Sequence, residues 1–452
     1  MTLTAATAHR ANDEIWKAVK TLLDVPGETE ARKLYFDLPR ARTASTIPIA
    51  LGGLGMTDPS HTLTGAFLAG MKDGLQQLQT SFPEDYDWWT AFLRDTEQQP
   101  SAALDLKPYR ESLRRSLNKV TSTFQAFSTT PFFASLRGPT GDDVTIAETD
   151  VMYPRTLDNL LLSGKGLQNR YAQMFHQVNF YAFRGTLPTS LLAMANGRAT
   201  PHAQDFLLMH PQSRLHTLQD SDMKFAARAI LYIPPTNEHY LLPTAESVIM
   251  NTTEGPKDAY VAFRKLFRSA HAWPRHDRLT NTFVHLIRKS GFRVLANAPT
   301  PNAGARSEVD FLVYGLADNK DVAFDVSVAV SDSTQVSSQN AASAGAAADL
   351  RAHHKREKYE DRCREAGYEF SPLIFEDTGF IHKSVHALVH RLSMSDGFHN
   401  SAPEFRTWAI RKTEDYWYQG LSCSLVAGNA QVFRQARPTW FDERGLVRRR
   451  GR

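Results

Sequence analysis

Cysteine is nearly absent from this chain: its 452 residues include only Cys363 and Cys423. Two cysteines so far apart support neither a disulfide scaffold nor a cysteine-rich zinc module, and they fit a reducing compartment. No apolar run reaches the roughly 18 residues a bilayer span needs, so no membrane partner is expected. The N-terminus MTLTAATAHRANDEIW lacks the apolar stretch of a secretory signal. Arg10 and the scattered hydroxyls leave an organelle presequence open, although Asp13 and Glu14 follow at once. No G-x-S-x-G or Walker A pattern occurs, and no C-x-x-C. Serine-elbow hydrolysis and P-loop nucleotide hydrolysis are therefore unsupported. Net charge is also low, at +4, but its distribution is uneven. The last twelve residues, FDERGLVRRRGR, hold five arginines, and a second basic cluster spans Arg351 to Arg364. Such runs are more often solvated faces than binding sites, yet they keep an anionic polymer among the partners.

The length suggests about three domains as a prior, and the composition is that of a globular protein. Residues 1–135 read as mostly helical, interrupted at Pro48 to Met56. That glycine-rich loop has no strand before it and reads as a backbone-packing turn. The polar stretch Thr129 to Asp143 marks a boundary, and 136–272 reads as a helical middle region with a weakly patterned linker from Thr236 to Ala272. In 273–395, Leu279, Phe283, Leu286 and Ile287 give the apolar stripe of a helix over Asp277 to Ser290. A strand over Phe292 to Ala296 and a hairpin follow, then one helix from about Ala342 to Ala366. A strand over Glu369 to Glu376 and a helix over Lys383 to Ser393 complete an α-β-β-β-α-β-α order. Residues 396–452 read as a helical segment with a basic tail. The whole is α+β: a mostly helical N-terminal half, then an α/β sandwich.

The chemistry-bearing stretch is RSEVDFLVYGLADNKDVAFDVSVAV, from Arg306 to Val330. A turn centred between Ala317 and Asp318 sets Asp310 directly opposite Asp325 on one face of a hairpin. Opposed residues place their Cβ atoms roughly 4.5–5.5 Å apart. Two carboxylates that close repel unless a cation lies between them, and Mg²⁺ is the usual oxygen-seeking choice. With a basic residue near, these are the parts for phosphodiester hydrolysis. The plainer account is a hairpin with solvent-facing aspartates. On the next helix Arg351, Lys355, Lys358 and Arg362 recur at helical spacing as one basic stripe. Lys355 or Lys358 is the candidate to polarise a phosphate, with Lys355 preferred. The competing account is a solvated helix face supported by Arg356 and Glu360. His382, His386 and His390 also share a helix face, but Lys-Ser-Val occupies the spacer where a zincin has glutamate, so packing or surface roles fit better.

Several landmarks together resemble the C-terminal region of non-LTR retrotransposon polyproteins. Arg275-His276-Asp277-x-Leu279, Val309-Asp310, Asp325-Val-Ser327-Val, Lys355-x-x-Lys358-Tyr359 and Pro372-Leu-Ile-Phe-Glu376 resemble their restriction-like endonuclease, of the PD-(D/E)XK nuclease superfamily. Ile49-Ala-Leu-Gly-Gly-Leu-Gly55 is similar to the segment that trails their reverse transcriptase. Leu187-Pro-Thr-Ser190, Ser221-Asp222, Leu421-Ser422 and Gly428-Asn429-Ala430 resemble stretches further along. The resemblance implies a restriction-endonuclease-like sandwich with a mixed central sheet over 273–395. It also implies that Asp310 and Asp325 hold Mg²⁺ or Mn²⁺, that Lys355 or Lys358 is catalytic, and that Arg275 and His276 stand at the cleft mouth. With Arg351 and Arg362, the latter two would contact nucleic acid, DNA favoured over RNA. A nuclear address is implied, with a mitochondrial one left open. Val309 stands where the family has proline, and Ser327 where D-x-K has lysine. No Cys/His zinc cluster precedes Arg275, and no reverse transcriptase signature is present. The expectation is a detached 3′ piece of an element. It is either a metal-dependent endonuclease or a catalytically inactive descendant serving nucleic-acid binding or a ribonucleoprotein or other assembly.

Overall fold

The computed structural model describes residues 2–33, 36–56, 58–94, 107–136, 146–209, 211, 213–235, 259–268, 273–299, 308–317, 320–395, 410 and 412–440. The chain forms two units. One comprises Met1–Leu22 with Gly55–Thr186, the other Leu23–Leu54 with Leu187–Arg452.

The first unit is helical. Helices Pro59–Ser81, Lys107–Phe127 and Leu167–Gly185 bury Leu68, Val120, Phe124, Tyr171 and Met174 in one core. Phe133 and Tyr153 both pack on Phe127, each with ring centroids 5.2 Å away. They lie on either side of residue 135, so the division drawn there runs through this unit. Residues 137–143 of the stretch Thr129 to Asp143 lie outside the described residues.

The second unit holds a four-stranded mixed sheet. Its strands are β1 (Val294–Pro299), β2 (Glu308–Ala317), β3 (Lys320–Ala329) and β4 (Glu369–Glu376), in spatial order 1-2-3-4. β1–β2 and β2–β3 are antiparallel, while β3–β4 is parallel. A parallel pair needs a crossover. Helix α4 supplies it, and the helices around the sheet are α1 (Thr189–Arg198), α2 (Ala259–Arg268), α3 (Trp273–Lys289), α4 (Ala346–Glu365), α5 (Lys383–Ser393) and α6 (Thr413–Trp440). Strand alternation sends Phe311, Val313, Val322, Phe324 and Val326 to the face covered by α3, α5 and α6. Leu312 and Ala323 face α4, where they meet Tyr359 and Cys363. The mixed α+β architecture agrees with the sequence reading, and among the described residues no helix is long and apolar enough to cross a membrane.

Four differences from the sequence reading matter. First, the expected helix from Ala342 to Ala366 is broken. A short helix ends at Ala342, and α4 starts only after Gly345, whose φ of +100° lies in the left-handed region. Asn340 holds the break, with its Oδ1 accepting from the Ala347 amide at 3.2 Å. Second, the segment read as a linker contains helix α2, whose Tyr260, Phe263 and Phe267 are buried; residues 236–258 and 269–272 lie outside the described residues. Third, α6 is no separate C-terminal segment. Its Trp417, Leu421 and Leu425 share the core of Phe283 and Phe375, while residues 441–452, with the basic tail, lie outside the described residues. Fourth, the Pro48–Met56 loop belongs to this unit as far as Leu54. Gly53 packs so tightly that a Cβ there would lie 2.2 Å from the Ile47 carbonyl oxygen, the close backbone turn expected.

Candidate active site

β2 and β3 bring Asp310 and Asp325 together. Phe311 pairs with Phe324, and continuing that register by one residue sets the two aspartates opposite each other. The regular ladder stops there, and the Asp310 side chain takes over: its Oδ2 accepts the Val326 amide at 2.6 Å. On β3, Asp325 shares the parity of Ala323 and Ser327, so it points at α4. Helix α4 can approach because it lays Ala348 and Ala352 on the sheet side, both buried. Continuing that stripe by three residues gives Lys355, then Tyr359 and Cys363. Lys355 Nζ lies 2.5 Å from Asp325 Oδ1, with the lysine side chain 17% exposed and the aspartate 5%.

His276, in the first turn of α3, closes the group from the other side. Its Nε2 is 3.1 Å from Asp310 Oδ2, and its Nδ1 is 3.1 Å from Asp277 Oδ1. The Asp310 hydrogen bond, followed by the charges of Asp310 and Asp277, pushes the imidazole up to about 9 against the cost of burial. His276 is therefore cationic at neutral pH. Burial holds the Asp325 carboxyl above the ordinary carboxylate range, Asp310 adds to that, and Lys355 opposes it. Two carboxylates thus face two cations.

The other expected residues separate. Lys358 is exposed on the flank, its Nζ donating to the Tyr359 hydroxyl at 2.7 Å. Arg351 Nε donates to Ser327 Oγ at 2.8 Å, from an exposed position on α4. Arg362 is exposed further along the helix. The expected single basic stripe is therefore split: Lys355 turns in while its neighbours stay out. Arg275 is a correction. Rather than standing at the cleft mouth it is 4% exposed, its Nη1 donating to Asn429 Oδ1 at 3.3 Å and its guanidinium 5.7 Å from the centre of the Phe267 ring. Tyr359, which carries no role of its own in the sequence pattern, packs beside Lys355. Burial raises its pKa, with Asp325 next in effect and acting partly through a hydrogen bond. Its position four residues after Lys355, on the apolar stripe, was the available signal.

Two further groups of polar residues prove structural. His382, His386 and His390 bond separately to Ser384, Tyr418 and Glu414. Burial pushes the Cys363 thiol up to about 11, which suits a core residue and not a nucleophile. Comparison with models of protein families and with curated proteins finds no match to this chain.

Beyond this site, Glu376 at the end of β4 is 0% exposed, its Oε1 accepting from Asn340 Nδ2 at 3.1 Å and from the Ala348 amide at 3.2 Å. Burial pushes this carboxyl up to about 7. A raised folded pKa makes its contribution to stability complete below the ordinary value near 4.5 and lost as pH rises through 7. Glu376→Gln keeps the acceptor and removes the titration. Urea unfolding at pH 5 and pH 8 should show the variant gaining about 2.5 kcal/mol on the wild type across that interval. A constant difference would show that Glu376 does not titrate there.

Proposed function

We propose that this protein is a metal-dependent endonuclease that hydrolyses DNA phosphodiester bonds, built on a restriction-like nuclease fold. The observation that carries the reading is the Lys355 ammonium held 2.5 Å from Asp325, on a strand whose neighbour presents Asp310. Two hard carboxylates suit a Mg²⁺ ion, which binds through one or two carboxylates and keeps several waters. No group of three or more His, Cys, Asp or Glu that could hold a metal forms among the described residues, so water would complete the coordination. When bound between Asp310 and Asp325, the cation would supply Lewis-acid activation of the phosphate and a lowered water pKa.

The chain's own residues do the rest. The Val326 amide fixes the Asp310 carboxylate in place. Asp325 holds the Lys355 ammonium in one position, so that the lysine can donate to a non-bridging phosphate oxygen and offset the charge that builds there in the transition state. Tyr359 backs this pair, and the His276 imidazolium adds positive charge where the phosphate enters.

One observation favours the second reading, a nuclease-derived protein that binds nucleic acid without cutting it. His276 and Lys355 already neutralise both aspartates, so a divalent ion must compete with two cations. The test is incubation of plasmid and single-stranded DNA with and without Mg²⁺ or Mn²⁺, beside an Asp310→Ala/Asp325→Ala double variant. Metal-dependent cutting absent from the variant is the expected outcome. No cutting, with salt-sensitive binding in both proteins, would replace the enzyme by a binding protein.

A further inference from the structure

We infer that Trp273 is a base-stacking platform beside the Asp310–Asp325 cleft, and that the favoured substrate carries an unpaired nucleotide there. The inference rests on the reading of that cleft as a phosphodiester site, and it names the substrate class: single-stranded or locally unpaired nucleic acid in preference to continuous duplex.

Trp273 opens α3 and is 69% exposed. Among the described residues of this unit, the other large hydrophobics with open surface, Leu208, Leu295 and Met394, carry no aromatic ring. A single exposed apolar side chain needs no explanation in general; what distinguishes this one is its position. Trp273 lies one turn before His276, and the two rings meet edge to face, centroids 6.0 Å apart at 78°. His276 in turn touches Asp310 at 3.1 Å. The indole is thus braced by the edge-to-face His276 ring on one side and remains open to solvent elsewhere. Three links in series, Trp273 to His276 to Asp310, set a flat aromatic surface next to the place where a phosphate would lie.

Within a duplex, successive bases stack 3.4 Å apart along each strand. An indole enters such a stack only by forcing the step open against base stacking. A base that is already unpaired has a free face and incurs no such cost. Base–aromatic stacking tolerates any sequence because every base has a π-face. The exposed Arg351 and Lys358 of α4 suit the backbone that runs on from that base.

The test measures binding without turnover. Labelled single-stranded DNA, single-stranded RNA and blunt duplex DNA of one length are titrated in metal-free buffer against wild type, Trp273→Ala and Trp273→Phe. Trp273→Ala should weaken single-strand binding roughly 10- to 100-fold and leave duplex binding within about twofold, while Trp273→Phe keeps most of the affinity. The DNA and RNA arms identify which strand is held. Equal losses on single strand and duplex, or no loss on either, would overturn the proposal. Failure of the wild type to bind single strands would overturn it too. Thermal melting checks that the variants fold, and Trp273→Phe keeps the test valid if Trp273→Ala does not. Adding Mg²⁺ to parallel samples separates the two readings. A single-strand-specific loss without any cutting retires the nuclease and leaves the platform; cutting with unchanged Trp273→Ala binding retires only the platform.

Discussion

Lys355→Met is expected to slow metal-dependent cleavage roughly 10²- to 10³-fold at saturating Mg²⁺, the usual loss when one preorganised donor is removed from a transition state. Lys358→Met should stay within about threefold. Sequence spacing treats the two lysines as members of one stripe, but their surroundings differ. Lys355 lies against Asp325 on the sheet side of α4, whereas Lys358 is exposed and bonded to the Tyr359 hydroxyl. Methionine preserves the length and apolar stem of lysine, so packing against Ala352 and Tyr359 is nearly kept. Single-turnover rates across a Mg²⁺ titration separate the roles: losing Lys355 lowers the plateau, while losing either aspartate raises the metal required. A larger effect at Lys358 than at Lys355 would remove the assignment.

The site's two aspartates were legible because one face of a hairpin is a strong constraint, yet the path to the register differs from the expected one. Ala317 pairs with Lys320, and that pairing, continued without interruption, would set Asp310 against Ser327. The register shifts between Val313 and Ala317, four steps on β2 against two from Val322 to Lys320 on β3. Gly315, at φ +66°, absorbs the surplus, and its amide donates to Asp321 Oδ1 at 2.9 Å. The expected turn residues Asp318 and Asn319 lie outside the described residues. A bulge of this kind has no signature in alternation, but a glycine inside a strand pattern hints at one. β4 and α5 fall at the expected bounds, because each is a short run between clear breakers.

What sequence could not disclose depends on partners far along the chain. Arg275 looked like a surface residue opening a helix; its partner Asn429 is 154 residues away. Leu23–Leu54 joins the second unit, where Arg228 Nη1 donates to the Leu23 and Asp24 carbonyl oxygens across more than 200 residues. The inward turn of Lys355 was within reach, since Ala348, Ala352, Tyr359 and Cys363 define a buried stripe with one lysine in its middle. The basic periodicity of Arg351, Lys355, Lys358 and Arg362 overlies that stripe and masks it.

The largest effect on stability is expected at Arg264, in the segment that looked like a linker. Its Nη2 lies 2.8 Å from Asp332 Oδ1 and 2.6 Å from Asp377 Oδ2, with all three side chains no more than 5% exposed. Asp377 also accepts from the Ser331 amide and hydroxyl at 3.1 Å. Arg264 and then Arg275 hold the Asp377 carboxyl below its ordinary range. Asp332 follows β3 and Asp377 follows β4, so one guanidinium ties helix α2 to the ends of both strands of the parallel pair. Removing one member of a buried ion pair leaves an uncompensated charge, at a cost of about 3–5 kcal/mol. Arg264→Ala and Arg264→Met should therefore destabilise by similar amounts in urea unfolding, because lost charge and not lost volume dominates. Adding Asp377→Asn to either variant should recover part of the loss. The sign of the pH dependence follows. In the wild type the depressed Asp377 stabilises the fold above its ordinary pKa, and that contribution is lost as pH falls. In the Arg264 variants an unpaired buried carboxylate is relieved by protonation, so their deficit should shrink between pH 7 and about 4. A cost under about 1 kcal/mol, or a deficit that grows on acidification, would mean that α2 is held by its aromatic face alone.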